Sequence, residues 1–185
     1  MRTALTRTLV VAALAVPVAA PAAPSAAMRA RAGTAAPQGP TRAQMRTAVR
    51  RAERSSTLWA TVNICDTRRY PNELGIRGQM PALGFQSSMS LGIQANYYSR
   101  SKHRFLPSPR AEMTVSLRRS SAGLQQGGST FTFPPRSARL DATVRFTWRR
   151  FGRLLGETTR TTTAGHRGAD FGSPAHFSAA QCRIR

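Results

Sequence analysis

After Ser56, apolar and polar residues alternate along much of the chain, the period of a strand that buries one face. Met89, Leu91, Ile93, Ala95 and Tyr97 are interleaved with Ser88, Ser90, Gln94 and Asn96. Ala111, Met113, Val115 and Leu117 repeat the pattern against Glu112, Thr114, Ser116 and Arg118. The longest case runs through Leu140, Ala142, Val144, Phe146 and Trp148, with Arg139, Asp141, Thr143, Arg145, Thr147 and Arg149 expected to face solvent. Shorter strands are predicted over Thr130 to Phe133, Leu154 to Thr162 and Phe177 to Ile184, and a further one over Leu58 to Cys65. Turn signals separate them: Leu106-Pro107-Ser108-Pro109, Gly127-Gly128, Pro134-Pro135, Gly152 and Gly172-Ser173-Pro174.

About seven short strands with no internal helix predict an all-β domain, an immunoglobulin-like antiparallel β-sandwich, with a small β-barrel as the alternative. The two cysteines, Cys65 and Cys182, lie near the ends of this region. A bridge between them therefore joins terminal strands and does not cross the centre of the core. The first strand is ambiguous. Trp59 shares its parity with Cys65, while Leu58, Ala60, Val62 and Ile64 make the other face more apolar.

Upstream the period becomes helical. Thr41 is placed as an N-cap, and Met45, Ala48, Val49 and Ala52 fall on one helical face. Arg42, Arg46 and Arg50 occupy another. A basic amphipathic helix of this kind can lie on an anionic membrane, but without Trp, Phe or Leu on its apolar face this one is read as capping or preceding the domain. Met28 to Pro40, rich in Ala, Gly, Pro and Arg, reads as a flexible tether. Arg2 and Arg7 precede the apolar run Thr8 to Ala20 and the small residues Pro21 to Ala27, the pattern of a secretory signal peptide. That run is shorter than the roughly 20 residues of a membrane span and contains Pro17. The expected organisation is a signal over 1–27, a basic tether with a short helix over 28–56, and the sandwich over 57–185, secreted and without a transmembrane segment in its mature form.

Export gives the cysteines their meaning, because two thiols in an oxidising compartment pair in one way. Charge sets the expected partner. The chain carries 28 Lys plus Arg against 7 Asp plus Glu, a net charge of +21. A domain this basic is drawn to polyanions, which outside the cell means anionic cell-wall polymer or an anionic membrane surface. The opposing reading is a soluble basic surface with no dedicated partner. Nucleic acid is not expected, since Tyr70, Tyr97, Tyr98 and Phe105 are not interleaved with basic residues as in a nucleic-acid-binding module.

The strings Leu58 to Thr67 (LWATVNICDT), Gly75 to Pro81 (GIRGQMP), Gly165-His166-Arg167 and Phe177 to Cys182 (FSAAQC) resemble uncharacterised secreted proteins of high-GC Gram-positive bacteria with a single disulfide-closed all-β domain. The resemblance extends from about Ser56 to the C-terminus. It implies export, the Cys65–Cys182 bridge and the all-β domain, and it implies no activity.

Catalytic chemistry finds little support. The chain has no Gly-x-Ser-x-Gly elbow, phosphate-binding glycine loop or His-Glu-x-x-His helix, and Glu112 and Asp141 are expected to be solvated on outward strand positions. No cofactor is implied. His166, Asp170 and His176 form a candidate zinc-binding group, with Asp66 close by if the terminal strands pair. On this rests the alternative of a secreted hydrolase or metal-binding protein, whereas the plain reading is a glycine-rich loop whose polar groups satisfy its backbone. The favoured site is an arginine ladder, Arg139, Arg145, Arg149 and Arg150, joined by Arg118 and Arg119 if their two strands are neighbours. Arginine binds phosphate and carboxylate bidentately. Its plain reading is a charged outer face that keeps the sheet soluble.

Overall fold

The structure is a computed structural model and describes residues 39–185; the expected signal peptide and the expected tether up to residue 38 lie outside the described residues. Eight strands and one helix are formed there: α1 (Arg42–Glu53), β1 (Trp59–Thr67), β2 (Tyr70–Pro81), β3 (Ser88–Ser99), β4 (Arg104–Ser116), β5 (Leu124–Thr132), β6 (Ala138–Arg150), β7 (Arg153–Thr161) and β8 (Cys182–Ile184). They make two open antiparallel sheets and no closed barrel. One has the order β1-β2-β5, the other β4-β3-β6-β7, with β8 beside β6. In a constant-type immunoglobulin sandwich the fourth strand extends the 1-2-5 sheet. Here it has moved to the edge of the other. β7 and β8 follow one another along the same edge of β6, which pairs with β8 over Ala138 to Leu140 and with β7 from Thr143 onward.

The apolar alternation on β3 and β6 marks the core. Leu91, Ile93, Val144, Phe146 and Trp148 face Val62, Leu74, Ile76 and Met80 of the other sheet, and all are buried. The Trp148 indole N–H donates to the Pro81 carbonyl at 3.0 Å, tying β6 to the end of β2.

β2 was not expected from the pattern. Its sequence, YPNELGIRGQMP, has two glycines and no strict alternation, because much of the strand is buried on both faces. At the other end, Phe177 to Gln181 is irregular, and only Cys182 to Ile184 pairs as a strand.

The ambiguity of the first strand resolves through a bulge. Register shifts between Val62 and Ile64, so Cys65 joins the same core as Ala60 and Val62 while Trp59 turns to the opposite face. Gly75 makes this possible: a Cβ there would stand 2.7 Å from Ile64 Cβ. Cys65 and Cys182 are bonded, with Cα atoms 5.3 Å apart, so the bridge joins β1 to β8 at the edge of the sandwich.

α1 belongs to the compact unit Gly39–Arg185. It starts on a capping box, in which the Gln44 N–H donates to Thr41 Oγ1 at 3.3 Å and the Thr41 N–H to Gln44 Oε1 at 2.8 Å. Val49 and Ala52 are buried against the sandwich. The contact is close because β7 carries Gly156, where a Cβ would lie 2.2 Å from Val49 Cγ1. Arg160 donates to the Glu53 carbonyl, placing a cation at the helix C-terminus.

Candidate functional site

The connection from 162 to 181 lies across the outer face and edge of β1. The His166 ring stacks on Trp59 with centroids 4.7 Å apart, and its Nε2 pairs with Thr163 Oγ1 at 2.8 Å. The His166 backbone N–H donates to Ser178 Oγ, which also meets Thr61 Oγ1. Asn63 Nδ2 donates to the Asp170 carbonyl, while the Asp170 N–H donates to Gln126 Oε1. His176 Nδ1 lies 3.1 Å from the Arg167 carbonyl oxygen. The structure therefore does not gather His166, Asp170 and His176 into a metal site, and among the described residues no three His, Cys, Asp or Glu side chains converge to hold an ion. Asp66 is committed elsewhere as well. Its carboxylate accepts from the backbone N–H of Asn72 and of Arg185, which holds its pKa below the usual carboxylate value.

Burial lowers the pKa of His166. The unfolded chain then takes up a proton more readily than the folded one as pH drops. The loop's stability is complete above the ordinary imidazole value of 6.5 and is lost as pH falls from there through the lower folded value. Hydrogen exchange over 162–181 is expected to accelerate between pH 7.5 and pH 5 relative to the β3–β6 core. A His166→Phe variant should remove that difference, and an unchanged pH response would contradict the assignment.

The arginine ladder is divided by the fold. β3 lies between β4 and β6, so the condition for Arg118 and Arg119 to join the ladder, that their strands be neighbours, is not met; both residues follow the end of β4 in irregular chain. Arg139, at one end of β6, lies over Tyr98 at 3.9 Å from the ring centroid and over Phe105 at 5.2 Å. Arg145 stands mid-sheet over Gly92, 4.0 Å from Glu157, in the one ion pair found among the described residues. Arg149 is at the far end, donating to the Gly152 carbonyl. Asp141, expected to be solvated, is only 5 % exposed. Burial pushes its pKa up, opposed by a hydrogen bond from Asn96 Nδ2 at 2.8 Å and by the nearby Arg139 charge.

Arg150 leaves this face altogether. Of opposite strand parity to Arg139, Arg145 and Arg149, it turns toward α1, with Nη1 3.8 Å from Met45 Sδ and its guanidinium near the rings of Phe85 and Phe151 at 5.5 and 5.0 Å. There it meets residues that the sequence reading did not bring together as a site. Arg42, Met45 and Arg46 of α1 and Arg150, Phe151, Arg153, Leu154 and Leu155 of the β6–β7 hairpin enclose an open cleft of about 390 Å³. Four arginines converge with no acidic residue in the lining. Phe151 and Leu154 remain 80 % and 53 % exposed beside them. The run Arg149-Arg150-Phe151-Gly152-Arg153 is visible in the sequence as a turn signal at Gly152. Its juxtaposition with α1 is not, because that depends on the helix docking over Gly156.

The cleft offers no acid, base or nucleophile, so its chemistry is recognition by charge and apolar contact. A second cleft, of about 530 Å³, is lined by Tyr97, Tyr98, Phe133, Arg136 and neighbouring residues, without histidine or carboxylate. No helix among the described residues is long and apolar enough to cross a membrane. No protein-family model matches the chain, and neither a curated protein nor a solved structure is similar to it.

Proposed function

We propose that this protein is a secreted, disulfide-closed binding module that attaches to phosphate-rich anionic material of the cell envelope through the cleft between α1 and the β6–β7 hairpin. The observation that carries this reading is the convergence of Arg42, Arg46, Arg150 and Arg153 on one cleft free of acidic residues. Guanidinium groups bind phosphate bidentately, and a local excess of one sign strengthens attraction to a polyanion. The disulfide is in keeping with an oxidising compartment. The competing reading, a hydrolase or metal protein built on His166, Asp170 and His176, draws no support from a gathered set of acid–base or ligating groups.

The test uses Gly39–Arg185, so that the apolar run near the N-terminus contributes nothing, with soluble polyphosphate and phosphatidylglycerol-containing vesicles as separate probes. Changing Arg42, Arg46 and Arg153 to Gln removes three charges without touching the packed Arg150. Each basic residue near an anionic surface is worth about 1 kcal/mol, so vesicle affinity at low salt should fall roughly 100-fold. The same changes at Arg118, Arg119 and Arg145 should have a much smaller effect. Equal losses from the two sets would place the binding in diffuse charge and contradict the cleft.

A further inference from the structure

We infer that the material bound at this cleft is an anionic lipid bilayer, into which Phe151 and Leu154 insert while the surrounding arginines hold the headgroup phosphates. This rests on the reading above and names its partner. Phe151 is at the apex of a two-residue hairpin turn between the paired residues Arg150 and Arg153. Its φ is +48° and that of Gly152 is +77°. Positive φ at both central positions is the geometry that favours Asn-Gly or Asp-Gly. A bulky aromatic residue there is strained. Phe151 therefore adopts an unfavourable backbone conformation and leaves its side chain 80 % exposed, so burial in the fold gives no reason for an aromatic at this position.

A bilayer does give one. The apex carries an aromatic ring and, three positions on, a half-exposed Leu154. Arg153 lines the cleft beside the ring, Arg150 lies against it, and Arg42 and Arg46 stand across the cleft. Apolar side chains at a tip inside a collar of cations match the boundary between acyl chains and anionic headgroups. A soluble polyanion would engage the arginines and leave the ring in water. α1 alone lacks the apolar area to insert, since Val49 and Ala52 are consumed by the sandwich; the hairpin supplies what the helix does not.

Three variants of Gly39–Arg185 test the inference against vesicles of phosphatidylglycerol with phosphatidylcholine, against phosphatidylcholine alone, and against polyphosphate. Phe151→Asn places a residue suited to the turn, so its melting temperature should equal or exceed that of the parent. Its affinity for anionic vesicles should fall about tenfold or more, with polyphosphate binding unchanged. Leu154→Ser should show a smaller loss of the same kind. Trp59 and Trp148 are buried, so in Phe151→Trp any change in emission on adding vesicles reports the tip. A blue shift with quenching by acyl-chain-labelled lipid is expected. Unchanged vesicle affinity in Phe151→Asn, or an emission that stays that of water-exposed tryptophan, overturns the insertion and leaves the anion-binding reading standing. Failure of the parent to bind either vesicles or polyphosphate overturns both.

Discussion

Changing Cys65 and Cys182 to serine is expected to lower the unfolding free energy by about 4 kcal/mol. The bridge spans a sequence separation of 117. In the chain-entropy account a closed loop of about 100 residues is worth roughly 4.7 kcal/mol, and measured values are commonly smaller. Local structure points the same way. β8 is three residues long and its only strand partner is β6, too little pairing to hold the C-terminus against fraying. The connection from 162 to 181 is held at its far end by that strand. A domain of this kind has about 5 to 15 kcal/mol in total, so the loss is a large share of it. Guanidinium unfolding of the parent with and without reductant, beside the double serine variant, measures it. A difference below about 1 kcal/mol would mean that β1 and β8 hold together without the bond.

Trp148→Ala is expected to cost about 3 to 5 kcal/mol, the range for deleting a large buried aromatic side chain. Trp148 is fully buried in the core, and its indole N–H serves the Pro81 carbonyl across the two sheets. Trp148→Phe separates the two contributions. It keeps most of the apolar volume and removes the donor, so about 1 to 3 kcal/mol is expected, from the unpaired carbonyl and the smaller ring. Denaturant midpoints at constant m-value give both numbers. If Trp148→Phe cost as much as Trp148→Ala, the hydrogen bond rather than the packing would dominate at this position.

Where burial was one-sided, the sequence was easy to read. β3 and β6 each present one face to the core, and their alternation of Leu91, Ile93, Val144 and Phe146 with polar neighbours is the direct imprint of that geometry. β2 gave no such imprint, because it is the middle strand of its sheet and its outer positions Gly75 and Gln79 are buried as well. Asp141 was misjudged for a related reason: strand parity gives the direction of a side chain, and says nothing of what lies above it. The parity argument failed once more at β1, where one bulge put Cys65 on the face of Val62.

The candidate site was legible only in fragments. The basic face of α1 and the turn at Gly152 are both plain in the sequence, yet they lie far apart along the chain. What joins them is the packing of Val49 over Gly156, a contact between two unremarkable residues that no local pattern encodes. The arginine ladder shows the converse. Arg145, Arg149 and Arg150 lie close together in sequence, yet the unbroken alternation of β6 turns Arg150 to the side opposite Arg145 and Arg149.

The most direct measurement of the central claim is a salt titration of vesicle binding by Gly39–Arg185. Binding to phosphatidylglycerol-containing vesicles should be strong at about 50 mM salt and fall steeply as the Debye length shrinks from about 14 Å toward 3 Å near 1 M, with little binding to phosphatidylcholine at any salt. Absence of binding at low salt, or equal and salt-independent binding to both kinds of vesicle, would contradict it.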